Sequence, residues 1–180
     1  MLKYSKPVAD LLTKLRVVLA VYIAWLGISR GPGSLAKVVA AVIVSWITDI
    51  LDGPLARRDP RGKQTWIGEH DAEADLTTSI GLSVYLIFDG HMAAWLGIMV
   101  LIVMLSLWVL HSYQLAWPFY AMPYVVLVVV ASKAEPLLGW ALLLYLTGVL
   151  VVHWRRLKTR YLPEFFDAVR ALSVGQKPQD

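Results

Sequence analysis

The sequence predicts an all-α integral membrane protein, a bundle of six transmembrane helices with an N-terminal interfacial helix and a C-terminal amphipathic tail. Composition is the first observation: 58% of the 180 residues are hydrophobic and 17% are charged, whereas about a quarter of a soluble domain is charged. The second is that only Asp89, Lys133 and Glu135 carry a formal charge between residues 76 and 154. This composition excludes a disordered chain and argues against a water-soluble globule.

Helix-breaking and polar residues divide the apolar sequence into six segments. A helix needs about 20 mostly apolar residues to cross the hydrocarbon core of a membrane. The Gly- and Pro-containing segment 29–34 separates the first two apolar segments, and the polar positions 89–90, 111–114 and 132–136 separate the last four. The predicted spans are 15–28, 35–51, 72–88, 92–110, 115–131 and 137–154.

The residues flanking these spans predict the organisation and orientation of the chain. Residues 1–13 are predicted to form an interfacial segment, 14–156 the six-helix domain, and 157–180 a cytoplasmic amphipathic tail. Residues 1–13 are too polar for the apolar core of a cleavable signal, so no processing is expected. With both termini in the cytoplasm, fourteen Lys and Arg residues lie inside and three outside. This distribution follows the positive-inside rule and also places the loop around 52–71 in the cytoplasm.

Composition also excludes several classes of site and partner. The chain has no cysteine, which excludes disulfides, thiolate metal sites and cysteine nucleophiles. Its net charge is +4, but the basic residues flank apolar segments and no nucleic-acid-reading motif is present. The four histidines are scattered without metal-ligand spacing. We therefore expect a lipid bilayer as a partner and no nucleic acid.

Acidic residues are concentrated where the second and third spans meet. Seven of the thirteen lie between residues 49 and 75. Asp49 and Asp52 end the second span, and Asp71 and Asp75 begin the third; spacings of three and four place each pair on one helix face. A tight connection between antiparallel helices would bring the four carboxylates together, where they cannot all stay ionised without a cation. Ligands with oxygen donors only favour Mg²⁺ or Mn²⁺.

The residues that follow Asp52 favour a ligand over the alternative, a solvated turn whose acids pair with neighbouring Arg and Lys. Gly53 and Ala56 are small and lie on the same helix side as the acids, so a bulky ligand can approach the backbone. Arg57 lies one turn beyond Gly53 and offers a planar fork to phosphate oxygens. Carboxylates, a metal and an arginine together suit a diphosphate, although Pro54 should kink this helix end.

The segment from Asp49 to Asp75 resembles the signature of the CDP-alcohol phosphatidyltransferase family. That signature reads D-x-x-D-G-x-x-A-R, a variable gap, then G-x-x-x-D-x-x-x-D; the first nine positions and the final D-x-x-x-D are present. Residues 10–16 are similar to N-x-L-T-x-x-R, which often precedes the first span in the family, with Asp10 in place of Asn. Two residues instead of three separate Gly68 from Asp71.

This resemblance implies a metal-dependent transfer of a phosphatidyl group from a CDP-linked lipid, such as CDP-diacylglycerol, to an alcohol acceptor, with release of CMP, in phospholipid biosynthesis. It implies two divalent cations, Mg²⁺ or Mn²⁺, with Asp75 as the catalytic base. The implied metal ligands are Asp49, Asp52, Asp71 and Asp75. The implied substrate-binding residues are Gly53, Ala56, Arg57, Thr65 and Thr13. A homodimer is also implied. The Lys and Arg distribution described above places the active site on the cytoplasmic face of the cell membrane (the inner membrane in a bacterium).

Two alternatives use the same acidic residues. An aspartate-rich membrane prenyltransferase also binds Mg²⁺-diphosphate, but such proteins resemble larger bundles with two separate aspartate-rich motifs. A divalent-cation transporter would require polar residues deep within the later spans, which are almost wholly apolar. The identity of the alcohol acceptor stays open, because the predicted inner loop 111–114 has no Lys or Arg and mildly favours an acceptor without a phosphate.

Overall fold

The computed structural model describes residues 5–29, 31, 33–57, 71–110 and 113–173, and nearly all of these are helical. The helices are α1 (Ser5–Ser29), α2 (Ser34–Arg57), α3 (Asp71–Phe88), α4 (Ala94–Val109), α5 (Tyr113–Ala134), α6 (Pro136–Arg156) and α7 (Leu162–Ser173). A π-helical segment, Leu157–Tyr161, joins α6 to α7. The described residues contain no strand. The all-α prediction is confirmed, and each predicted apolar segment corresponds to one of α1–α6.

Helix α1 begins earlier than the first predicted span. It is one uninterrupted helix from Ser5 to Ser29, so residues 5–13 of the predicted interfacial segment continue directly into the apolar part. No glycine lies between residues 5 and 26, and the only proline there is Pro7, in the first turn, where its missing N–H is tolerated. The location of this segment at a membrane interface stays a prediction.

Two helical segments in the described part of the chain are long and apolar enough to cross a membrane. They are Asp10–Ser29 in α1 and Ser34–Leu51 in α2. Four further apolar helical stretches are shorter: Ala74–Phe88, Ala94–Val109, Pro118–Ala134 and Pro136–Val151. Length and composition therefore establish two candidate spans, and the predicted total of six stays a prediction.

The chain divides into two compact units, Met1–Gly97 and Ile98–Asp180. In the first unit, α1 packs against both α2 and α3. The core of this unit consists of apolar side chains from all three helices, including Ile23, Val38, Val42, Leu82 and Leu86. These fully buried residues fix α1 between its two neighbours.

Glycines permit α1 and α3 to approach closely. A Cβ atom added at Gly81 would overlap the carbonyl oxygen of Ala20, and one added at Gly27 would lie 2.6 Å from the Cα atom of Tyr85. In a membrane, the hydrophobic effect does not drive helices together, and small residues instead let helix backbones pack closely. Ala20 contacts Gly81, and Gly27, farther along α1, contacts Tyr85, farther along α3. The two helices are therefore parallel.

A polar network joins the beginning of α2 to the end of α3. The hydroxyl of Tyr85 donates to Asp89 Oδ2 at 3.0 Å and lies 3.5 Å from the hydroxyl of Ser34. His91 Nε2 lies 3.0 Å from the same Asp89 oxygen. Gly90, with φ 78°, ends α3 in a backbone conformation that favours glycine. This network holds the two helices together at the end of α3 opposite its acidic first turns.

In the second unit, α5 packs against α6, and α7 packs against α5 and the π-helical segment. Leu127 of α5 and Leu142 of α6 are fully buried. Pro118 and Pro123 lie inside α5 and remove two backbone donors from its hydrogen-bond ladder. Such prolines are tolerated in membrane helices, where neighbouring groups bond the freed carbonyls.

Candidate active site

The side chain of Arg16 lies at the centre of the candidate site. It belongs to α1 and is 1% exposed. Its Nη1 atom donates to Asp49 Oδ1 and to Asp75 Oδ1, each at 2.7 Å. These distances are those of charge-assisted hydrogen bonds. Because one nitrogen atom serves both oxygens, the two oxygens lie no farther apart than twice that distance, and the carboxylates of α2 and α3 are neighbours.

The helix positions explain why these three residues meet. Asp49 lies two turns before the end of α2, and Asp75 lies in the second turn of α3. Helix α1 packs against both helices, and Ala20, which touches Gly81 of α3, is one turn beyond Arg16. The close approach of α1 and α3 therefore sets the register that brings Arg16 to Asp75.

Buried hydroxyl groups line the helices around the site. Thr48, next to Asp49, donates to the carbonyl of Ser45 at 2.7 Å, and Thr78 donates to the carbonyl of Ala74 at 3.0 Å. Both threonines are buried. By bonding within their own helix, these hydroxyls satisfy their polar atoms without a partner from a neighbouring helix. They provide small polar side chains where α2 and α3 carry the acids.

Burial differs sharply between the arginine and the two acids. The side chains of Asp49 and Asp75 are 44% and 52% exposed, respectively, whereas Arg16 is buried. The guanidinium therefore approaches the carboxylates from the interior, and the carboxylates open towards the surface. One positive and two negative charges leave this trio with a net negative charge. A second cation can reach it from the exposed side.

The chemistry of these donors fits a hard divalent cation. Carboxylate oxygens are the preferred protein ligands of Mg²⁺ and Mn²⁺, and two of them converge at one point. Within the described part of the chain, no group of three or more His, Cys, Asp or Glu side chains forms a metal cluster. The predicted four-aspartate cluster also requires Asp52 and Asp71. These lie in α2 and at the beginning of α3, but their side chains are outside the described set.

The predicted substrate-binding residues lie in three parts of the chain. Thr13 is buried on α1, one turn before Arg16, and therefore lies on the same helix face. Gly53, Ala56 and Arg57 belong to the last two turns of α2, and their side chains are not described. Thr65 lies outside the described residues. The assignment of these five residues to a substrate stays a prediction.

The sequence did not predict the contacts of Arg16. A basic residue at the beginning of an apolar segment has an ordinary explanation as a positive-inside anchor. The similarity of residues 10–16 to N-x-L-T-x-x-R drew attention to Arg16 but not to its partners. Those partners come from two other helices, and only the packing of α1 between α2 and α3 brings them together.

Comparison with protein-family models gives a match that covers most of the chain. The family model described as CDP-alcohol phosphatidyltransferase matches residues 6–160. This range extends from α1 to the π-helical segment and includes Arg16, Asp49 and Asp75. No similar curated protein and no similar solved structure was found.

Proposed function

The chain belongs to the CDP-alcohol phosphatidyltransferase family, whose members transfer a phosphate-linked alcohol group from a CDP-alcohol, and on that premise we propose its reaction. It transfers a phosphatidyl group from a CDP-linked lipid, such as CDP-diacylglycerol, to an alcohol acceptor and releases CMP, as a step of phospholipid biosynthesis. The observation that carries this proposal is the convergence of Asp49 and Asp75 on Arg16. It brings together the two helix ends on which the family signature lies.

A membrane location accounts for the exposed apolar side chains. On α4 and α6, Trp95, Leu137, Leu144 and Val151 are each 70% exposed or more. Exposed apolar surface of this kind is costly in water and is favourable against lipid tails. Together with the two candidate spans, it supports a protein embedded in a membrane. The excess of Lys and Arg in the predicted inner segments supports the six-span arrangement with both termini and the active site on the cytoplasmic face. The lipid tails of the donor would then remain in the bilayer during the reaction.

Two divalent cations, Mg²⁺ or Mn²⁺, complete the proposed site, held by Asp49, Asp52, Asp71 and Asp75. When bound, they neutralise the donor diphosphate and stabilise the charge that develops on the departing CMP. The described part of this ligand set, Asp49 and Asp75, has the donor type and the accessibility that such ions require. Helical spacing adds Asp52 to the face of Asp49, and Asp71 to the face of Asp75.

The remaining side chains bind and orient the two substrates. Asp75 accepts the proton of the acceptor hydroxyl at its carboxylate, so that the alcohol oxygen can attack the lipid-side phosphorus. Arg57 binds phosphate oxygens, while Gly53 and Ala56 leave room for the cytidine diphosphate group. Thr13 and Thr65 contact the CDP-lipid. Most of the rate enhancement comes from positioning and electrostatics, as in other phosphoryl transfers.

Release of CMP by the purified protein tests this proposal. The protein, with Mg²⁺ or Mn²⁺ and CDP-diacylglycerol, is offered glycerol phosphate, serine, inositol, inositol phosphate or choline in turn. CMP and the lipid product are then measured. We expect release of CMP either with the acceptors that carry a phosphate or with those that do not. Asp75→Asn should abolish turnover and retain some CDP-lipid binding, whereas Lys14→Gln, an exposed change on the same helix as Arg16, should behave as wild type.

Two results would contradict the proposal. Full activity of Asp75→Asn would remove the proposed base. Uptake of divalent cations into liposomes without any CMP release would instead favour a transporter. A homodimer is also proposed, and crosslinking in native membranes tests it independently of activity.

A further inference from the structure

We propose that Arg16 is a positioning residue, a resident cation that holds Asp49 and Asp75 together before a divalent ion binds. The inference rests on the proposed function, because it treats the two aspartates as metal ligands. It assigns a role to a residue that neither accepts a proton nor binds the ions. Arg16 acts through the two carboxylates that it fixes in place.

The geometry of the shared nitrogen supports this role. One Nη1 atom donates to one oxygen of each aspartate at the same distance, 2.7 Å. The three residues come from three different helices, so these bonds connect α1, α2 and α3 at one point. Since the guanidinium is buried and the carboxylates are about half exposed, Arg16 fixes the carboxylates from the interior without closing the exposed side.

Electrostatics explains why a resident cation is needed. Two carboxylates this close repel each other, and the repulsion is strong near a medium of low dielectric constant. Without Arg16, the metal-free protein would separate the end of α2 from the beginning of α3, or would keep them together at reduced stability. A divalent ion supplies positive charge at the same two carboxylates. Arg16 therefore stabilises the metal-free protein in the way that the ion stabilises the loaded protein.

Thermal unfolding of the purified full-length protein, with EDTA or with Mn²⁺ and without any lipid substrate, tests this role. Arg16→Gln should lower the metal-free melting temperature by about 5 °C or more. Mn²⁺ should restore at least half of that loss, so the Mn²⁺-induced shift becomes larger than in wild type. Arg16→Lys keeps the positive charge but places it on a shorter side chain. Its metal-free melting temperature and its Mn²⁺-induced shift should therefore lie between those of wild type and Arg16→Gln. Lys14→Gln removes one exposed positive charge from the same helix and should change neither value.

Each contrary outcome overturns the inference. An unchanged metal-free melting temperature in Arg16→Gln means that the bonds from Arg16 to Asp49 and Asp75 do not stabilise the metal-free protein. An equal loss with and without Mn²⁺ means that Arg16 contributes packing only. If Arg16→Gln does not fold, the same comparison is made with Arg16→Lys, whose Mn²⁺-induced shift must exceed that of wild type.

The outcome can be separated from that of the proposed function. If wild type releases CMP but the Arg16 variants show no enlarged Mn²⁺ shift, the role of Arg16 is wrong and the transferase proposal stands. If Mn²⁺ restores the stability of Arg16→Gln but no acceptor gives CMP, the transferase proposal is wrong and the role of Arg16 stands.

Discussion

Gly81→Ala tests whether the packing of α1 on α3 positions the site. A Cβ atom at residue 81 would overlap the carbonyl oxygen of Ala20, and a backbone atom cannot move aside as a flexible side chain can. The two helices must therefore separate by about 1 Å to restore van der Waals contact. Arg16 lies one turn from Ala20 on α1, so this separation lengthens its bond to Asp75.

The magnitude follows from two opposing terms. Overpacking in a close contact costs about 1–3 kcal/mol, and alanine in a helix gains about 0.5–1 kcal/mol over glycine. We expect a net loss of about 1–2 kcal/mol, which lowers the melting temperature by about 3–6 °C in a chain of this size. A displacement of about 1 Å at a catalytic group costs about 100-fold in rate, so CMP release should fall by about 10- to 100-fold.

Gly148→Ala is the matched control. Nothing lies within 4 Å of a Cβ atom added at Gly148 in α6, so only the helix-propensity gain applies there. Its melting temperature should equal or slightly exceed that of wild type, and its activity should be unchanged. Both variants are measured by thermal unfolding in detergent and by CMP release. A Gly81→Ala protein as stable and as active as Gly148→Ala would refute the close approach of α1 and α3.

Three further predictions concern the ions, the opposite end of α3 and the buried threonine of α1. Treatment with EDTA should abolish CMP release, and added Mg²⁺ or Mn²⁺ should restore it; activity that survives chelation would exclude the proposed ions. Asp89→Asn weakens the bonds to Tyr85 and His91 and should lower stability by about 1 kcal/mol. Its kcat should match wild type, and a large fall in kcat would place this network in the active site. Thr13→Val should raise KM for the CDP-lipid more than it lowers kcat; an unchanged KM would remove Thr13 from the substrate-binding set.

The elements of the fold could be predicted because their signals are local. Apolar composition and helix-breaking positions such as 89–90 predicted six segments, and the structure has one helix for each of them. The start of α1 was less predictable, because residues 5–13 are too polar for a membrane core but contain nothing that ends a helix. Prolines 118 and 123 lie inside α5 although prolines usually end helices, since their effect depends on the surroundings of the helix.

The candidate site could be predicted only in part, because its assembly depends on contacts distant in sequence. Spacing placed Asp49 and Asp75 at helix positions that face one another, and the structure brings these two together. The bond of each to Arg16 depends on the register of α1 against two other helices. Close contacts at Gly27 and Gly81 set the register of α1 against α3, and a single sequence does not show which glycine contacts which backbone.

The charges of the proposed ligands agree with the proposed number of ions. The four aspartates and the donor diphosphate carry about six negative charges when all are ionised. Arg16 and Arg57 supply two positive charges, so two divalent ions bring the assembly to neutrality, whereas one ion leaves two negative charges uncompensated. Uncompensated charge is costly at the edge of a low-dielectric medium. The donor and the second ion should therefore bind cooperatively, because each supplies the charge that the other requires. Arg16, already paired with Asp49 and Asp75, lowers the negative charge that the first ion must meet.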